Sequence, residues 1–158
     1  MLANDINSLN PVYQTVSSST SAAVSCTTAM SFVNIPVKTG GDEVLTVTIT
    51  PKKSTNILQI SFSGFATSAA NTSDTVVGLF QDATNNALAA SYFKIDNDGT
   101  GNLELNYTML AGTTIATTFK IRVGKGAGTG TYINADNGGN RRFGGTASTI
   151  LKVIEFYI

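Results

Sequence analysis

Residues Glu43–Thr50, with the sequence EVLTVTIT, alternate between apolar and polar side chains over most of their length. Leu45, Val47 and Ile49 fall on one side of an extended chain, and three threonines fall on the other. This period of two predicts a β-strand with one buried side and one side facing solvent. Pro51 predicts the end of the strand, because proline cannot donate a hydrogen bond to a neighbouring strand.

Similar patterns continue along most of the chain. Further strands are expected at Val12–Val16, Phe32–Val37, Asn56–Ala66, Thr75–Gln81, Ala87–Ile95, Leu103–Met109, Ile115–Val123, Thr129–Asn134 and Thr149–Tyr157. Runs rich in glycine, asparagine and aspartate separate them, and Gly124–Gly130 is expected to be a flexible hairpin loop. About eight to ten short strands with almost no helix signal predict an all-β jelly-roll β-sandwich.

The composition limits the functions that the chain can have. Its 158 residues suit one domain, and the 42% apolar fraction is enough for a core. Ten basic residues balance ten acidic ones, so we expect no nucleic-acid partner. There is no histidine and no converging set of polar residues, so we expect no enzyme. No apolar run approaches the ~20 residues of a membrane-spanning helix, and we expect no membrane insertion.

Two expected strands are apolar on both sides. Val76 and Phe80 oppose Val77 and Leu79 in one of them, and both faces of Ile150–Ile158 are also apolar. A sandwich strand buried on both faces needs a partner beyond the opposing sheet, and another subunit is the simplest one. We therefore expect the last strand to lie in the middle of a sheet near an oligomer axis. The alternative is an edge strand with scattered exposed apolar residues.

Several short runs occur in the order and at the spacing typical of a known family. They are Ile49–Lys52, Gly78–Asp82, Asn86–Ala90, Ala111–Arg122 and Arg141–Gly145, followed by Ser148, Ile150 and Glu155. With these runs the sequence resembles, over about 13–158, the trimeric jelly-roll modules of tailed-phage structural proteins. Those modules are similar in architecture to tumour necrosis factor and to the globular heads of complement. Ile35–Gly41 departs from the family as a shortened form of a longer acidic turn.

The resemblance implies a homotrimer without catalysis, made in the host cytoplasm and located on the virion. Residues 1–11 are expected to be a short polar arm, and 12–158 a jelly-roll domain. Such a protein suits a capsid decoration or cement protein that binds the major capsid protein or another virion protein. The alternative is a receptor-binding knob at the tip of a tail or head fibre, which would contact a host-surface glycan or protein.

Candidate residues follow from these expectations. For the trimer interface they are Ile150, Ile154, Phe156, Tyr157, Ile158 and Arg142, and Arg142 would pair in that interface with Glu155 or another acidic partner. For capsid contact by the arm they are Leu2, Ile6 and Leu9, and for receptor loops Asn85, Asn86, Asn137 and Asn140.

Two other patterns have competing interpretations. Asp96 and Asp98 lie in a run that partly matches a calcium loop, although a hairpin turn explains it better and no other cofactor is expected. The aromatic residues Tyr13, Tyr92, Phe93, Tyr132 and Phe143 are expected to pack in the core, and a carbohydrate-binding platform is the alternative.

Overall fold

A computed structural model describes residues 12–158, in which ten β-strands form two antiparallel sheets. The strands are β1 (Val12–Thr20), β2 (Val24–Cys26), β3 (Asp42–Ile49), β4 (Ile57–Ser68), β5 (Ser73–Gln81), β6 (Ala89–Ile95), β7 (Thr100–Leu110), β8 (Thr117–Ala127), β9 (Thr131–Ile133) and β10 (Thr149–Phe156). A 3-10 turn at Phe143–Gly145 precedes β10. The predicted arm, with Leu2, Ile6 and Leu9, lies outside the described residues. Within 12–158 there is no helix whose length and apolar character would let it cross a bilayer.

The order of the strands is that of a jelly roll. The larger sheet runs β1-β10-β4-β9-β2, with β7 paired to the other edge of β4, and the smaller sheet runs β3-β8-β5-β6. Without the short β2 and β9, the eight long strands pair first with last and then progressively inward, which is the jelly-roll arrangement of two Greek keys. The predicted all-β jelly-roll sandwich is confirmed.

The core lies between the two sheets and follows the predicted alternation. Leu45, Val47 and Ile49 of β3 are buried against a cluster that includes Ile60 and Phe62 of β4. Burying each such side chain stabilises the fold by about 1.5–3 kcal/mol before the cost in entropy is subtracted. Cys26 is fully buried among them, and its burial, followed by the charge of Asp42, raises the pKa of its thiol to about 12.

The prediction of a strand at Phe32–Val37 is wrong. Residues 27–41, which we call the covering segment, cross the outer side of the smaller sheet, where the Met30 side chain packs on Val76 and Phe80. The Met30 amide donates to the carbonyl of Lys125 in β8, and the Lys125 amide donates to that of Thr28. The segment therefore lies over the smaller sheet and is not one of its regular strands.

Two further expectations near β8 need correction. Gly124–Gly130 is not wholly a loop, because β8 continues through Ala127. Its glycines let the covering segment approach: a Cβ atom at Gly124 would lie 2.7 Å from the Thr28 oxygen, and one at Gly126 would meet the Phe32 ring. Ile115, the first residue of the expected strand Ile115–Val123, instead precedes the start of β8 and is 71% exposed.

The last strand is central, as predicted. β10 pairs with β1 on one side and with β4 on the other, so the alternative of an edge strand is wrong. Leu151 and Val153 point into the core and are fully buried. Ile150, Ile154 and Phe156 lie on the opposite face of the strand, which is the outer face of the larger sheet.

Candidate functional site

One end of the outer face of the larger sheet carries a row of apolar side chains. The register places Val12 opposite Phe156, Phe156 opposite Ile57, and Ile57 opposite Leu110, across the four strands β1, β10, β4 and β7. Directly paired residues share a face of the sheet, so the four side chains form a continuous row. We call these four residues the end row. Val12 is 55% exposed and Leu110 58%, while Phe156 and Ile57 are half-buried.

The rest of this outer face is more polar. The next positions inward on β4 are Gln59, Ser61 and Ser63, paired on one side with Thr108, Asn106 and Glu104 of β7. On the β10 side, the half-buried Ile154 and the exposed Ile150 add apolar surface. Ile158 follows β10 and is also exposed. The half-buried Lys152 lies between Ile150 and Ile154 on β10, so the apolar area in this part of the face is concentrated at the end row and Ile154.

Directly behind the end row, Glu155 points the other way and is completely buried. Its carboxylate accepts hydrogen bonds from Gln14 Nε2 of β1 at 2.5 Å, from Asn56 Nδ2 at 2.7 Å and from the Lys52 amide at 2.8 Å. Burial by itself raises the pKa of Glu155. The bonds from Gln14, Asn56, Lys52 and Lys53 outweigh that effect and hold the pKa below its usual value. Glu155 thus fastens β1 and the loop before β4 to β10, next to the end row.

Within one chain Arg142 does not pair with Glu155, and its pairing across an interface with Glu155 or another acidic partner stays a prediction. Arg142 lies before β10 and Glu155 near the far end of that strand, which rises about 3.3 Å per residue. The Arg142 amide donates to the carbonyl of Asn134 at 3.0 Å. Tyr157 is at the Glu155 end, where its ring is tilted against that of Tyr13 with centroids 4.4 Å apart. The six trimer candidates are therefore divided between the two ends of β10.

The exposed aromatic residues do not form one platform. Tyr92 is stacked on Phe32 of the covering segment at 6.0 Å, and its hydroxyl donates to Asp74. Phe143 lies elsewhere, edge-on to Phe65 at 6.3 Å. The expectation that these aromatics are core residues is wrong for Phe143, which is 71% exposed, for Tyr92, which is about half exposed, and for Tyr13, which is also exposed.

The loop candidates lie in two separate places. Asn85 and Asn86 occupy the exposed β5–β6 turn, where the Asn85 carbonyl accepts a bond from the Lys38 amide. Asn137 follows β9 and donates from its side chain to the Asp98 carboxylate at 2.7 Å, which brings the loop after β9 to the β6–β7 turn. Asn140 donates to Asp136 in the same loop.

The calcium interpretation gains no support from the geometry of these loops. Asp96 and Asp98 lie in an exposed turn between β6 and β7, closed by a bond from the Gly99 amide to the Asp96 carbonyl. In the described part of the chain, no three His, Cys, Asp or Glu side chains are grouped closely enough to hold a metal ion. The hairpin-turn interpretation explains this run.

Two features of the site escaped sequence reasoning. The bonds from Gln14 and Asn56 to Glu155 join residues 141 and 99 positions apart, and nothing in the local pattern indicates them. The direction of the Phe143 ring depends on a positive φ at that residue, which lies just before two glycines. The run Gly144-Gly145 was a signal for an unusual turn, although it did not indicate the direction of the ring.

The fold defines a class: an all-β jelly-roll sandwich of two antiparallel sheets. Within that class, the chain belongs to the Pgp3 C-terminal domain family, whose model matches residues 14–157.

Comparison with solved structures gives weaker likenesses. A structure of the infectious bursal disease virus Gx strain matches with 8% identity and a TM-score of 0.42, covering 92% of this chain and 42% of that one. The T13 particle of the same virus matches with 9% identity and a TM-score of 0.41, covering 92% and 39%. The enzymatically active domain of tailspike protein 4 of bacteriophage CBA120 matches with 16% identity and a TM-score of 0.28, covering 91% and 19%.

This chain thus spans less than half the length of each of these proteins. At such TM-scores the likeness supports no statement about function. No curated protein sequence matches the chain.

Proposed function

We propose that this chain is a non-enzymatic structural protein of a virus particle that assembles as a homotrimer through the outer face of its larger sheet. The observation that supports this best is the end row, in which four neighbouring strands present apolar side chains that stay partly exposed in a single chain. Contiguous exposed apolar surface is typical of an interaction site. The resemblance to trimeric phage modules supports three copies.

The physical basis of the proposed assembly is burial around a three-fold axis. Phe156, Ile154, Val12 and Leu110 would lose contact with water, at about 25 cal/mol for each Å² of apolar area removed. The strand that carries Phe156 is bonded on both sides, and Glu155 holds it from behind, so the surface is rigid before assembly. A rigid face loses little entropy on binding, which favours association.

On the particle, we propose that the trimer decorates or cements the capsid, with residues 1–11 contacting the major capsid protein or another virion protein. The alternative is a knob at the tip of a fibre, in which exposed loops such as those of Asn85 and Asn137 contact the host. The resemblance to phage modules supports both roles.

The experiment that tests assembly compares two substitutions of exposed aliphatic side chains. Leu110→Ser alters the end row, whereas Val33→Ser alters the covering segment on the other side of the sandwich, where Val33 is 82% exposed. Native mass spectrometry should find trimers for the unaltered chain and for Val33→Ser, with a larger share of monomer for Leu110→Ser. A monomeric unaltered chain at micromolar concentration would contradict the proposal, as would equal behaviour of the two variants.

A second experiment separates decoration from a fibre tip. A map of the native particle should show the protein spread over the shell, and deletion of residues 1–11 should weaken capsid binding while leaving the trimer intact. Density restricted to fibre ends would favour the knob. Loss of the trimer on deletion would contradict the role proposed for the arm.

A further inference from the structure

A groove lies on the outer face of the larger sheet, toward the end of β4 away from the end row. It has a volume of about 370 Å³ and is lined by Phe65, Thr67, Thr100, Asn102, Arg142 and Phe143. Its floor consists of two cross-strand pairs between β4 and β7, Phe65 with Asn102 and Thr67 with Thr100. Its volume falls within the about 300–1,000 Å³ typical of small-molecule sites. We call it the Phe65–Phe143 groove.

Phe143 lies in a backbone conformation that a bulky residue rarely adopts. Its φ is +54°, and Gly144 and Gly145 follow with φ of +58° and +92°. The glycines take positive φ without a steric penalty, whereas the Cβ atom of a phenylalanine is crowded there. The turn is held by bonds from the Thr146 amide and hydroxyl to the Phe143 carbonyl. A glycine or an asparagine would suit this backbone better, so folding gives no reason for an aromatic residue here.

The phenylalanine is also poorly placed to contribute to the core. It is 71% exposed and touches Phe65 edge-on, so one face of its ring stays open toward the groove. Strained residues with exposed side chains occur preferentially at binding sites, where strain fixes the orientation of a group. The backbone here fixes an aromatic surface beside polar side chains.

Two polar side chains of the groove are available to a ligand. Neither ion pair of the described residues involves Arg142, whose guanidinium has no carboxylate within 4.0 Å among residues 12–158. Asn102 is exposed on β7, where it pairs across the strands with Phe65. The guanidinium offers a pair of parallel donors that match a carboxylate, and the amide offers both a donor and an acceptor.

We propose that the Phe65–Phe143 groove binds a carboxylated saccharide. A pyranose ring has a face of C–H groups and an edge of hydroxyls, so it can pack on Phe143 while its hydroxyls bond to Asn102 and Thr100. Arg142 would bind the carboxylate of the sugar in a bidentate manner. An apolar peptide would not use these donors, and a neutral sugar would not use the charge of the guanidinium. The chemistry thus favours an acidic sugar ring.

This inference goes beyond the proposed assembly and does not depend on it. Phe65 lies eight residues from Ile57 along β4, a separation of about 26 Å at the usual rise of about 3.3 Å per residue. The groove and the end row are therefore separate parts of one face. Either can be altered while the other stays intact.

The test uses the full chain and two carboxylated probes from different sources, sialyllactose and a hyaluronan tetrasaccharide, with lactose as the neutral comparison. Saturation-transfer NMR and titration should show that at least one acidic probe binds more tightly than lactose. The better probe tells whether the carboxylate comes from a sialic acid or from a uronic acid. Binding of neither acidic probe at millimolar concentration, or equal binding of lactose, would overturn the inference.

Variants then locate the binding. Phe143→Asn should weaken binding at least about tenfold, while Phe143→Tyr retains it, because the tyrosine keeps the aromatic face. Since asparagine tolerates positive φ, Phe143→Asn should leave the melting temperature unchanged or raise it. Arg142→Gln should remove the preference for the acidic probe over lactose. Full binding by Phe143→Asn would contradict the proposed site.

Oligomeric state distinguishes the groove from an interface. Native mass spectrometry of Phe143→Asn should match that of the unaltered chain. If this variant dissociates instead, Phe143 contacts a sister chain, which overturns the saccharide site and leaves the proposed assembly standing. Failure of the end-row variant Leu110→Ser to affect assembly would contradict the assembly proposal alone.

Discussion

Strands β5 and β10 both have apolar residues on both faces in the sequence. In the structure, however, their outer faces differ in how far they are buried. On β5, Val76 and Phe80 are buried under Met30 of the covering segment. On β10, Phe156 and Ile154 are only half-buried in a single chain. The expectation that another subunit covers the second face is therefore wrong for β5, where the chain covers itself, and remains a proposal for β10.

A two-sided apolar pattern therefore predicts that both faces of a strand are covered, but it does not say whether the cover comes from the same chain or from another. The cover of β5 is one crossing segment fastened by backbone bonds to β8 and to the β5–β6 turn. Nothing of that kind lies over the end row among residues 12–158, where Val12 and Leu110 are more than half exposed. A substitution beneath the covering segment should change the free energy of unfolding. A substitution on the exposed outer face of the larger sheet should change the association of chains.

The largest effect is expected for Phe80→Ala, beneath the covering segment. The ring is 1% exposed, and its removal should lower the free energy of unfolding by about 3–5 kcal/mol, as is usual for buried phenylalanine. Denaturant titration followed by fluorescence or circular dichroism measures it. A loss comparable to that of a surface substitution would mean that the segment does not cover β5 in solution.

A smaller loss is expected where the covering segment touches β8. In Gly124→Ala, the new Cβ atom would lie 2.7 Å from the Thr28 oxygen and from the Gly41 Cα atom, so backbone must move. We expect a loss of about 1–3 kcal/mol, typical of overpacking. Gly101→Ala is the matched control, since its Cβ atom meets nothing closer than Ile95 at 3.4 Å. Equal stability of the two variants would contradict the close approach.

The sequence predicts structural features that arise within one strand better than features that depend on contacts between residues far apart in the chain. The alternation of Leu45, Val47 and Ile49 arises within one strand, and it correctly predicted the buried side and the jelly-roll class. The central position of β10 followed from its apolar character. The covering segment could not be predicted, because Met30 meets Phe80 across fifty positions of chain and Pro36 is compatible with both a strand and a crossing.

The candidate site shows the same limit. The apolar residues of β10 could be assigned to an exposed face, but their alignment with Val12 and Leu110 depends on register between distant strands. The pairing of Arg142 with Glu155 or another acidic partner was predicted from charge alone. It does not form with Glu155 within one chain, because the strand separates the two residues and because uncharged donors surround Glu155.

Glu155→Gln tests whether the rigidity behind the end row depends on a charge. We expect a loss of about 1–3 kcal/mol at neutral pH, because the new amide cannot accept all the bonds that now converge on the carboxylate. Glu104→Gln on the exposed side of β7 is the matched control and should cost little.

The contribution of Glu155 to the free energy of unfolding should depend on pH. The pKa of Glu155 is lower in the folded chain than the about 4.3 of an unfolded glutamate. The unfolded chain then binds the proton more readily, so the contribution is complete above that unfolded value and disappears as the pH falls through the folded pKa. Unfolding free energies from pH 7 downward should show the unaltered chain approaching Glu155→Gln at low pH. If the difference in unfolding free energy between the unaltered chain and Glu155→Gln stays constant with pH, the stability does not come from the ionised carboxylate.

The smallest effect on folding is expected for Phe156→Ala, on the outer face of β10. Its half-buried ring should contribute only about 1 kcal/mol to the unfolding of a single chain. If sister chains cover it, the unfolding midpoint of the unaltered protein rises with protein concentration, because dilution favours dissociated chains. Phe156→Ala should weaken that dependence, while Phe80→Ala should lower the midpoint at every concentration and keep the slope. The same slope for the unaltered protein and both variants would mean that the outer face of β10 stays open to solvent, and that its apolar residues have another purpose.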